Sequence, residues 1–302
     1  MMQFHMDIDN LPSVSILGTK VNRLTMPQAL SVVEGLIRSR RNHYIVTPNP
    51  EMLMYARDHQ WFRDVLNESS LSLADGAGIV WAAKYLSLRL INIPGIKQLQ
   101  ELFQYLFTGA ASLFFPKYLN VVPERITGAD MVWEISKLAA KREWKVFLLG
   151  AGPGVALKAA QIMQEMYPKL NVVEVMVGPP YETEDEVIRV IKQTKPQIIF
   201  LAFPAAGQMK WIRDQLPKLD NTVVMGIGGA LDFIAGTAAI NSEATSENPA
   251  KRAPVWMQKH SLEWLWRLIT QPWRKERVKT ALIKFMTVVR RAKLSGNYET
   301  SN

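Results

Sequence analysis

The sequence contains no cysteine among its 302 residues. This absence excludes disulfide scaffolds, zinc–thiolate sites, iron–sulfur clusters and thiol nucleophiles. Nothing in the composition therefore requires an oxidising compartment, and a cytoplasmic location is the expectation. The hydrophobic fraction of 48% and the charged fraction of 21% are those of a globular protein, which argues against disorder, a collagen repeat or a coiled-coil rod.

Long apolar runs are also missing. No stretch reaches the roughly 18 uninterrupted apolar residues of a membrane-spanning helix. Residues 1–14 have neither the basic start nor the apolar core of a secretory signal peptide, so we expect a protein that is neither exported by such a signal nor membrane-spanning. No metal site is predicted, because the histidines lack metal-ligand spacing. They are His5, His43, His59 and His260.

The basic charge is concentrated in one part of the chain. Over residues 1–250, 24 Lys and Arg residues balance 24 Asp and Glu residues, whereas residues 251–302 carry 12 basic and 3 acidic residues. The whole formal net charge of +9 therefore belongs to the C-terminal segment. A local basic charge of this kind suits nucleic acid, an anionic membrane surface or a polyanionic substrate.

Tryptophans are interleaved with the basic residues of this C-terminal segment. Indole rings beside cations are typical of a bilayer interface, whereas binding of single-stranded nucleic acid favours aromatic residues on a groove or sheet. Because the aromatic residues follow helical spacing, an anionic membrane surface is favoured over nucleic acid, and a helix that packs its tryptophans into the core is the alternative. The residues expected at the membrane are Arg252, Trp256, Trp264, Trp266, Arg267, Trp273 and Arg274.

Short apolar strands alternate with helix-period stretches along most of the chain. Strands that are apolar along their whole length indicate a sheet buried on both faces, and the intervening helices indicate parallel connections. The sequence therefore predicts an α/β fold with a largely parallel, doubly wound sheet and helices on both faces, preceded by a short hairpin around Gly18. The predicted strands cover residues 44–47, 71–74, 146–149, 172–177, 198–202 and 223–227.

Two segments interrupt this alternation. Residues 102–116 carry no charge but are too short to span a bilayer; a buried core helix explains them, and a re-entrant or membrane-facing segment is the alternative. Residues 237–250 are small and polar and predict a mobile loop. The expected organisation is an N-terminal extension (1–14), an α/β body (15–236) with an apolar insertion at about 91–122, the loop (237–250) and a basic, tryptophan-rich appendage (251–302).

Glycine-rich sequences follow two of the predicted strands, where an α/β sheet gathers its ligands. The segment GAGPG contains Gly150 and Gly152, and GIGGALDF contains Gly228 and Gly229. Backbone amides of the helix that follows could face a phosphate, but a tight strand-to-helix turn needs glycine at the same positions. The spacing differs from the dinucleotide fingerprint G-x-G-x-x-G, so both interpretations stay open.

Polar side chains follow other predicted strands. Asp75 lies directly after a strand and before two glycines, where a carboxylate can act as a general base in the sheet-end crevice or cap the next helix. Thr47 and Asn49 alternate with prolines that stiffen their loop, and a turn without ligand explains them equally well. Gln208 lies at the start of a predicted helix, where its side-chain amide could form hydrogen bonds with a nucleobase or a sugar hydroxyl. A solvated position on the surface also explains a glutamine there.

Seven sequence segments together resemble the WecG/TagA/CpsF family of bacterial glycosyltransferases. The resemblance covers about residues 15–280 and implies a Rossmann-like body with a C-terminal appendage that contacts the membrane. Residues 91–122 lengthen a connection that is short in typical members. The segments are TPNPEM (47–52), LADGAGIVWAAKYL (73–86), PERITGAD (123–130), VFLLGAGPGVA (146–156), QMKW (208–211), GIGGALDFIAG (226–236) and KRAPVWMQKHSLEWLWRLITQPWR (251–274).

The resemblance also implies an activity. It is the metal-independent, inverting transfer of a hexose or N-acetylhexosamine from a UDP-sugar to a saccharide on undecaprenyl diphosphate. The implied donor sugar is of the N-acetylmannosamine type or glucose. The implied location is peripheral, at the cytoplasmic face of the membrane, in the synthesis of a teichoic acid-like polymer or an exopolysaccharide. No cofactor is implied. Homo-oligomerisation is a further expectation, because association of several copies would cover the apolar insertion at residues 91–122.

The family's functional residues correspond to named positions of this chain. Asp75 corresponds to the general base, and Arg125 in PERITG corresponds to a cation that faces the diphosphate and neutralises its charge. Thr47 and Asn49 correspond to residues around the acceptor and the base. Gln208 corresponds to a residue near the nucleotide or the sugar.

Two other functions fit parts of the sequence. A NAD-dependent Rossmann oxidoreductase is the general alternative for a chain with this βα pattern, but the glycine spacing disfavours it. A non-enzymatic adaptor would use only residues 251–302 to bind a membrane or nucleic acid, and its binding would depend strongly on salt.

Overall fold

The computed structural model describes residues 7–91, 93, 95–236, 253–254, 257, 262–270, 276 and 279–296. The first elements are the strands β1 (Ser13–Ile16) and β2 (Thr19–Asn22), which pair in an antiparallel hairpin. Leu17 and Gly18, both with positive φ, form its turn. The hairpin predicted around Gly18 is confirmed, and β1 begins within the predicted N-terminal extension.

A six-stranded sheet forms the centre of the molecule. Its strands are β3 (His43–Val46), β4 (Leu71–Ser72), β5 (Lys145–Gly150), β6 (Asn171–Met176), β7 (Ile198–Ala202) and β8 (Val223–Gly226). They lie in the order β4–β3–β8–β7–β5–β6, and every pairing is parallel. Strands β3, β7 and β8 are buried along their whole length, which explains their continuous apolar sequences. The predicted α/β fold with a parallel sheet is confirmed.

Helices cover both faces of this sheet, and two clusters of buried side chains lie between helices and strands. One face carries α1 (Met26–Arg38), α6 (Gly128–Arg142), α7 (Val155–Met166) and α10 (Ala230–Ala235). The other face carries α2 (Pro50–Asp58), α3 (Gln60–Asn67), α8 (Glu184–Thr194) and α9 (Ala205–Gln215). The helices that follow β3 and β8 therefore lie on opposite faces, although the two strands are neighbours.

A third cluster of buried side chains lies beside the sheet. It joins the hairpin to α4 (Ala77–Ser87), α5 (Ile96–Phe114) and the C-terminal helix α12 (Phe285–Ser295). A π-helical turn (Thr280–Lys284) leads into α12. A further helix, α11, covers Glu263–Thr270. In the part of the chain that the structure describes, no helix combines the length and the apolar character needed to cross a membrane.

The interpretation of residues 102–116 as a buried core helix is wrong. These residues lie mainly in α5, but the helix buries only Glu101, Thr108 and Ala111. Its large apolar side chains, among them Phe103 and Leu106, are exposed. The physical reason is that the polar side of the helix finds its hydrogen-bonding partners inside the protein, so the apolar side faces outward.

Much of the predicted appendage falls outside the described residues. The loop 237–250 lies outside them, as do Arg252, Trp256, Trp273 and Arg274. The structure describes the backbone of Trp264 and Arg267 in α11, where Trp266 is half-buried. Contact of this segment with a membrane, and the division of the chain at residues 14, 236 and 250, stay predictions.

Candidate active site

The carboxyl ends of β3 and β8 form the edge at which the sequence places its candidate residues. Because the following helices α2 and α10 diverge to opposite faces of the sheet, this edge has the arrangement that leaves a ligand crevice in α/β proteins. Thr47 and Asn49 follow β3, and Gly228 and Gly229 follow β8. The topology therefore brings the loop of Thr47 and Asn49 and the loop of Gly228 and Gly229 to one crevice.

The loops after β3 and β4 run side by side beyond the ends of their strands. The Leu73 amide donates to the Val46 carbonyl over 2.9 Å, and the Asp75 amide donates to the Pro48 carbonyl over 3.1 Å. Asp75 is half-buried, at the edge of the sheet. The next helix, α4, has Gly76 as its N-cap residue, so Asp75 lies one position ahead of the cap. The helix-cap alternative for Asp75 stays a prediction, since the N-cap position itself is occupied by Gly76.

Gly76 adopts φ +109°, a value that L side chains rarely adopt, which allows the chain to turn from Asp75 into α4. Two positions later, a Cβ on Gly78 would lie only 2.9 Å from Pro50 Cγ. The two glycines after Asp75 thus allow the start of α4 to approach the loop that holds Asn49.

The segment that contains Arg125 is hydrogen-bonded to the same loop. The Ile126 amide donates to the carbonyl of Ala74, the residue before Asp75, over 3.1 Å. Thr127 caps α6 by accepting from the Asp130 amide over 3.2 Å. A Cβ on Gly128 would lie 3.3 Å from the Thr47 hydroxyl, which shows how closely α6 approaches the end of β3. Arg125 itself is half-buried.

The structure thus brings Thr47, Asn49, Asp75 and Arg125 to one region through the backbone contacts of their loops. Asn49 also has a local role, because its Oδ1 accepts from the Met52 amide over 3.0 Å as the N-cap of α2. Its side-chain amide nitrogen is the group that could contact a ligand. The interpretation of Asn49 as a turn residue without a ligand therefore accounts for the side-chain oxygen but not for the side-chain nitrogen.

Gln208 is buried, with 4% of its surface exposed, so its interpretation as a solvated surface residue is wrong. It lies in the first turn of α9, where Nε2 donates to the Phe203 carbonyl over 2.7 Å. The space that a Cβ on Gly226 would occupy is filled by Oε1 of Gln208. The side chain therefore connects the carboxyl ends of β7 and β8.

The glycine-rich loop after β5 is required by close packing. Gly150 has φ +105°, and a Cβ there would lie 2.8 Å from the carbonyl group of Ala202 in β7. Gly152 has no such contact with the backbone of a neighbouring strand, and Gly154 is the N-cap of α7. The turn interpretation thus accounts for Gly150, while the amides at the start of α7 still offer a helix N-terminus to an anion.

The glycines after β8 lie beside this loop, since α7 and α10 pack together. Gly228 has φ +53°, and a Cβ on Gly229 would lie 3.3 Å from Oδ2 of the buried Asp232. The two glycine-rich loops therefore start neighbouring helices on the same face of the sheet.

The described histidines have structural environments. His43 is buried between Ser39 and Ser70, whose hydroxyls lie 2.7 and 2.8 Å from its ring nitrogens, and burial lowers its pKa. His59 stacks on Tyr55, with ring centroids 3.8 Å apart. Among the described residues there is no group of three His, Cys, Asp or Glu side chains with the geometry of a metal site.

A buried polar cluster in the third packing cluster was missed from the sequence. Glu101 of α5 accepts two bonds from the Arg290 guanidinium, over 2.8 and 2.9 Å, and one from the Tyr85 hydroxyl. Lys293 is 1% exposed, and its ammonium donates to the Tyr85 carbonyl and, over 2.6 Å, to Gln104 Oε1. The only sequence signal was that Glu101 is the single acidic residue between positions 76 and 123.

Comparison with known proteins identifies relatives over nearly the whole chain. The model of the "Glycosyl transferase WecG/TagA/CpsF family" matches residues 14–116 and 109–299. A Staphylococcus aureus (strain NCTC 8325 / PS 47) protein named N-acetylglucosaminyldiphosphoundecaprenol N-acetyl-beta-D-mannosaminyltransferase is 30% identical over 287 residues, 94% of each chain. The protein of the same name from strain MRSA252 is 29% identical over the same length.

Proposed function

Because this chain belongs to the WecG/TagA/CpsF family of glycosyltransferases, we propose that it transfers an N-acetylhexosamine or hexose from a UDP-sugar to an undecaprenyl-diphosphate-linked saccharide. The name of the relatives supports the acceptor class and favours N-acetylmannosamine as the sugar, with glucose as the alternative. Family membership favours transfer over the oxidoreductase and adaptor alternatives. The transfer inverts the anomeric configuration and needs no metal ion.

The observation that carries this proposal is the junction of three loops around Asp75. The Asp75 amide bonds to Pro48, and the adjoining Ala74 carbonyl accepts from Ile126, so the carboxylate, Asn49 and Arg125 belong to one edge of the sheet. A half-buried carboxylate at a crevice can be reached by a substrate hydroxyl, whereas partial desolvation makes it a better base than a fully solvated one.

In the proposed reaction, Asp75 accepts the proton of the acceptor hydroxyl as that oxygen attacks the anomeric carbon of the donor sugar. The bond between the anomeric carbon and the diphosphate oxygen breaks on the opposite face, and its electron pair leaves with UDP. The anomeric carbon passes through an oxocarbenium-like state. Arg125 stabilises the negative charge that develops on the leaving diphosphate, as a bidentate cation does in place of a metal.

The remaining predicted residues define the two ends of the site. Thr47 and Asn49 orient the acceptor beside Asp75. Gln208 holds the β7 and β8 ends where the nucleotide or sugar binds. The loops of Gly150 and Gly152 and of Gly228 and Gly229 line the donor side, where amides at the start of α7 favour an anion.

The acceptor is an amphiphile, so the proposed location is peripheral, at the cytoplasmic face of the cell membrane. The C-terminal segment supports this location, because it carries the whole net charge of +9 and four tryptophans. In an anionic leaflet each nearby basic residue contributes roughly 1 kcal/mol to binding.

The test is release of UDP from a UDP-sugar in the presence and absence of a short-chain prenyl-diphosphate saccharide, with EDTA present throughout. We expect release only with the acceptor, and we expect Asp75→Asn to reduce kcat about 100-fold or more, because it removes the base. Asp58→Asn is the matched control, since Asp58 is an exposed carboxylate that pairs with Arg57 in α2.

If Asp75→Asn keeps more than a tenth of the parental kcat, Asp75 is not the base. Loss of activity in EDTA that returns with a divalent cation would contradict the metal-independent reaction. Nuclear magnetic resonance of the product, compared with the donor, reads the anomeric configuration directly, and a retained configuration would contradict inversion.

A further inference from the structure

The helix α5 presents its apolar side to the surroundings and its polar side to the protein. Polar residues at positions 101, 104 and 108 face inward. Of the apolar side chains facing outward, Leu99 is 71% exposed, Phe103 67% and Phe114 70%. This is the reverse of a surface helix in water, which buries its apolar side and exposes its polar side.

Specific contacts hold the polar side of α5 inward. Glu101 binds Arg290, Gln104 accepts from Lys293, and Thr108 accepts from the Trp81 indole over 3.0 Å. These partners come from α4 and α12, which lie on the inner side of the helix. Rotating the apolar side inward would break all three contacts and remove Gln104 and the Glu101 carboxylate from the buried Lys293 ammonium. The outward orientation is therefore built into the fold.

The outward apolar side chains form one continuous surface, which we name the α5 face. They recur at the helical spacing that aligns residues on one side, and Phe115 continues the surface beyond the helix end. Among the described residues, 11 of the 17 large apolar side chains that are exposed lie between positions 91 and 118. The members on α5 and directly after it are Ile96, Leu99, Leu102, Phe103, Leu106, Phe107, Phe114 and Phe115. A contiguous apolar surface of this kind marks a site of interaction.

The charges around the α5 face select the class of partner. Between positions 76 and 123 the only acidic residue is Glu101, which is buried and paired with the partly exposed Arg290. Four basic residues accompany the face in the same stretch: Lys84, Arg89, Lys97 and Lys117. An apolar surface with a basic rim complements an anionic lipid leaflet. A second copy docked through the same face would instead bring two basic rims together without counter-charges.

The α5 face is also joined to the basic C-terminal segment. Helix α12 belongs to that segment and is held to α5 through Arg290 and Lys293, while the Lys97 ammonium donates to the Leu294 carbonyl over 3.0 Å. At the other end of α12, Phe285 packs near Gly78, in the first turn of the helix that follows Asp75. The α5 face and the candidate active site are thus connected by α4 and α12.

We propose that the α5 face docks on an anionic lipid bilayer, with α5 lying in the plane of the interface and its apolar side chains inserted among the acyl chains. The basic rim contacts lipid headgroups, and the polar side of α5 keeps its contacts with α4 and α12. The inference rests on the proposed function for its biological purpose, a lipid-linked acceptor, whereas its physical argument rests on α5, the basic residues beside it and its contacts with α4 and α12.

The test is flotation of the full chain with vesicles of phosphatidylglycerol and phosphatidylcholine. The double variant Phe103→Gln/Leu106→Gln places two amides on the α5 face, and we expect its partition into anionic vesicles to fall by about tenfold or more. The control variant Leu157→Gln/Met166→Gln also places two amides at exposed apolar positions, on α7, and should float like the parent.

A second variant, Phe114→Gln/Phe115→Gln, changes the far end of the α5 face and keeps the test decisive if the first variant does not fold. Unfolding by urea, followed by circular dichroism, checks folding of each variant. Flotation of folded α5-face variants equal to that of the parent would overturn the proposal. So would a parental dimer that becomes monomeric in these variants while their flotation is unchanged, because the α5 face would then join two copies.

UDP release with the short-chain acceptor separates this inference from the proposed function. We expect the α5-face variants to keep the parental kcat with that acceptor while they lose vesicle binding. If the parent binds vesicles through the α5 face but releases no UDP, the proposed function fails and the docking surface stands. If the parent releases UDP and the variants float normally, the docking surface fails alone.

Discussion

Helices α1 and α5 are both amphipathic, but they face the protein with opposite sides. Helix α1 buries Val32 and Leu36 in the sheet-facing core and pairs its outward Glu34 with Arg38 and Arg142. Helix α5 buries Glu101 and leaves its phenylalanines and three of its four leucines exposed. Amphipathic spacing therefore predicts a helix with two sides, whereas the partners of its polar groups decide which side faces inward.

The largest expected effect tests the apolar sides of the two helices. Leu36→Ala should lower the free energy of unfolding by about 2–5 kcal/mol, because it leaves a cavity in the core. Leu106→Ala, the matched change on the α5 face, should alter it by no more than about 0.5 kcal/mol, because the side chain is exposed. Urea unfolding of both variants measures the contrast, and equal losses would mean that Leu106 is covered in solution.

The next effect tests the polar side of α5. Glu101→Leu should lower the free energy of unfolding by about 3 kcal/mol, because Arg290 and Lys293 lose the carboxylate beside them. The control Asp214→Leu removes an exposed partner of Arg213 and should cost at most about 1 kcal/mol. A loss below that of the control, in the same urea measurement, would show that the cluster does not hold α5 in place.

The smallest effect is a dependence on pH. Burial lowers the pKa of Lys293 to about 8, against the opposing influence of Glu101. Above pH 8 the unfolded chain therefore binds more protons than the folded chain, so the stability penalty, complete below pH 8, is relieved as the pH rises. Between pH 8 and 9.5 we expect the free energy of unfolding of the parent to gain roughly 1–2 kcal/mol relative to Lys293→Met.

Urea unfolding at several pH values measures this difference. Tyr85, which faces the same cluster, has its pKa raised by burial and by Glu101, so the range ends below the ordinary tyrosine pKa of about 10. Parallel stability curves for the parent and Lys293→Met would mean that burial does not lower the pKa of Lys293 in the folded chain.

Most of the sheet was predictable from the sequence, because strands that are buried on both faces of a sheet consist of short runs of apolar residues. Five of the six predicted strands match the observed bounds to within one residue at each end. The exception is β4, which pairs only over Leu71–Ser72. Leu73 and Ala74 are buried as predicted, but they belong to the loop that carries Asp75.

The candidate site was predictable where the topology of the sheet defines it. Asp75, Thr47 and Asn49 were marked by their positions after strands. Arg125 was marked only by the family resemblance, since it follows no strand and its segment joins the site through the bond from Ile126 to Ala74. The burial of Gln208 was not predictable from its local sequence. The Gln208 side chain occupies the space left free by Gly226, which lies in β8, a strand that comes later in the chain.

The orientation of α5 was missed for a related reason. Arg290 and Lys293 lie 189 residues from their partners Glu101 and Gln104 along the chain. No local pattern contains this information. Residues 102–116 were interpreted as a buried helix because they carry no charge. The residue that is buried is instead the charged Glu101, directly before them.

The pairing of β3 with β8 has a consequence for how the protein is made. His43 is in register with Val223, so the middle of the sheet closes only after 180 further residues have been joined to the chain. A polypeptide still emerging from the ribosome can form the β1–β2 hairpin early, but the crevice between β3 and β8 lacks its second wall until β8 has been synthesised. Any fragment of the chain that ends before β8 is therefore expected to lack one side of the candidate crevice.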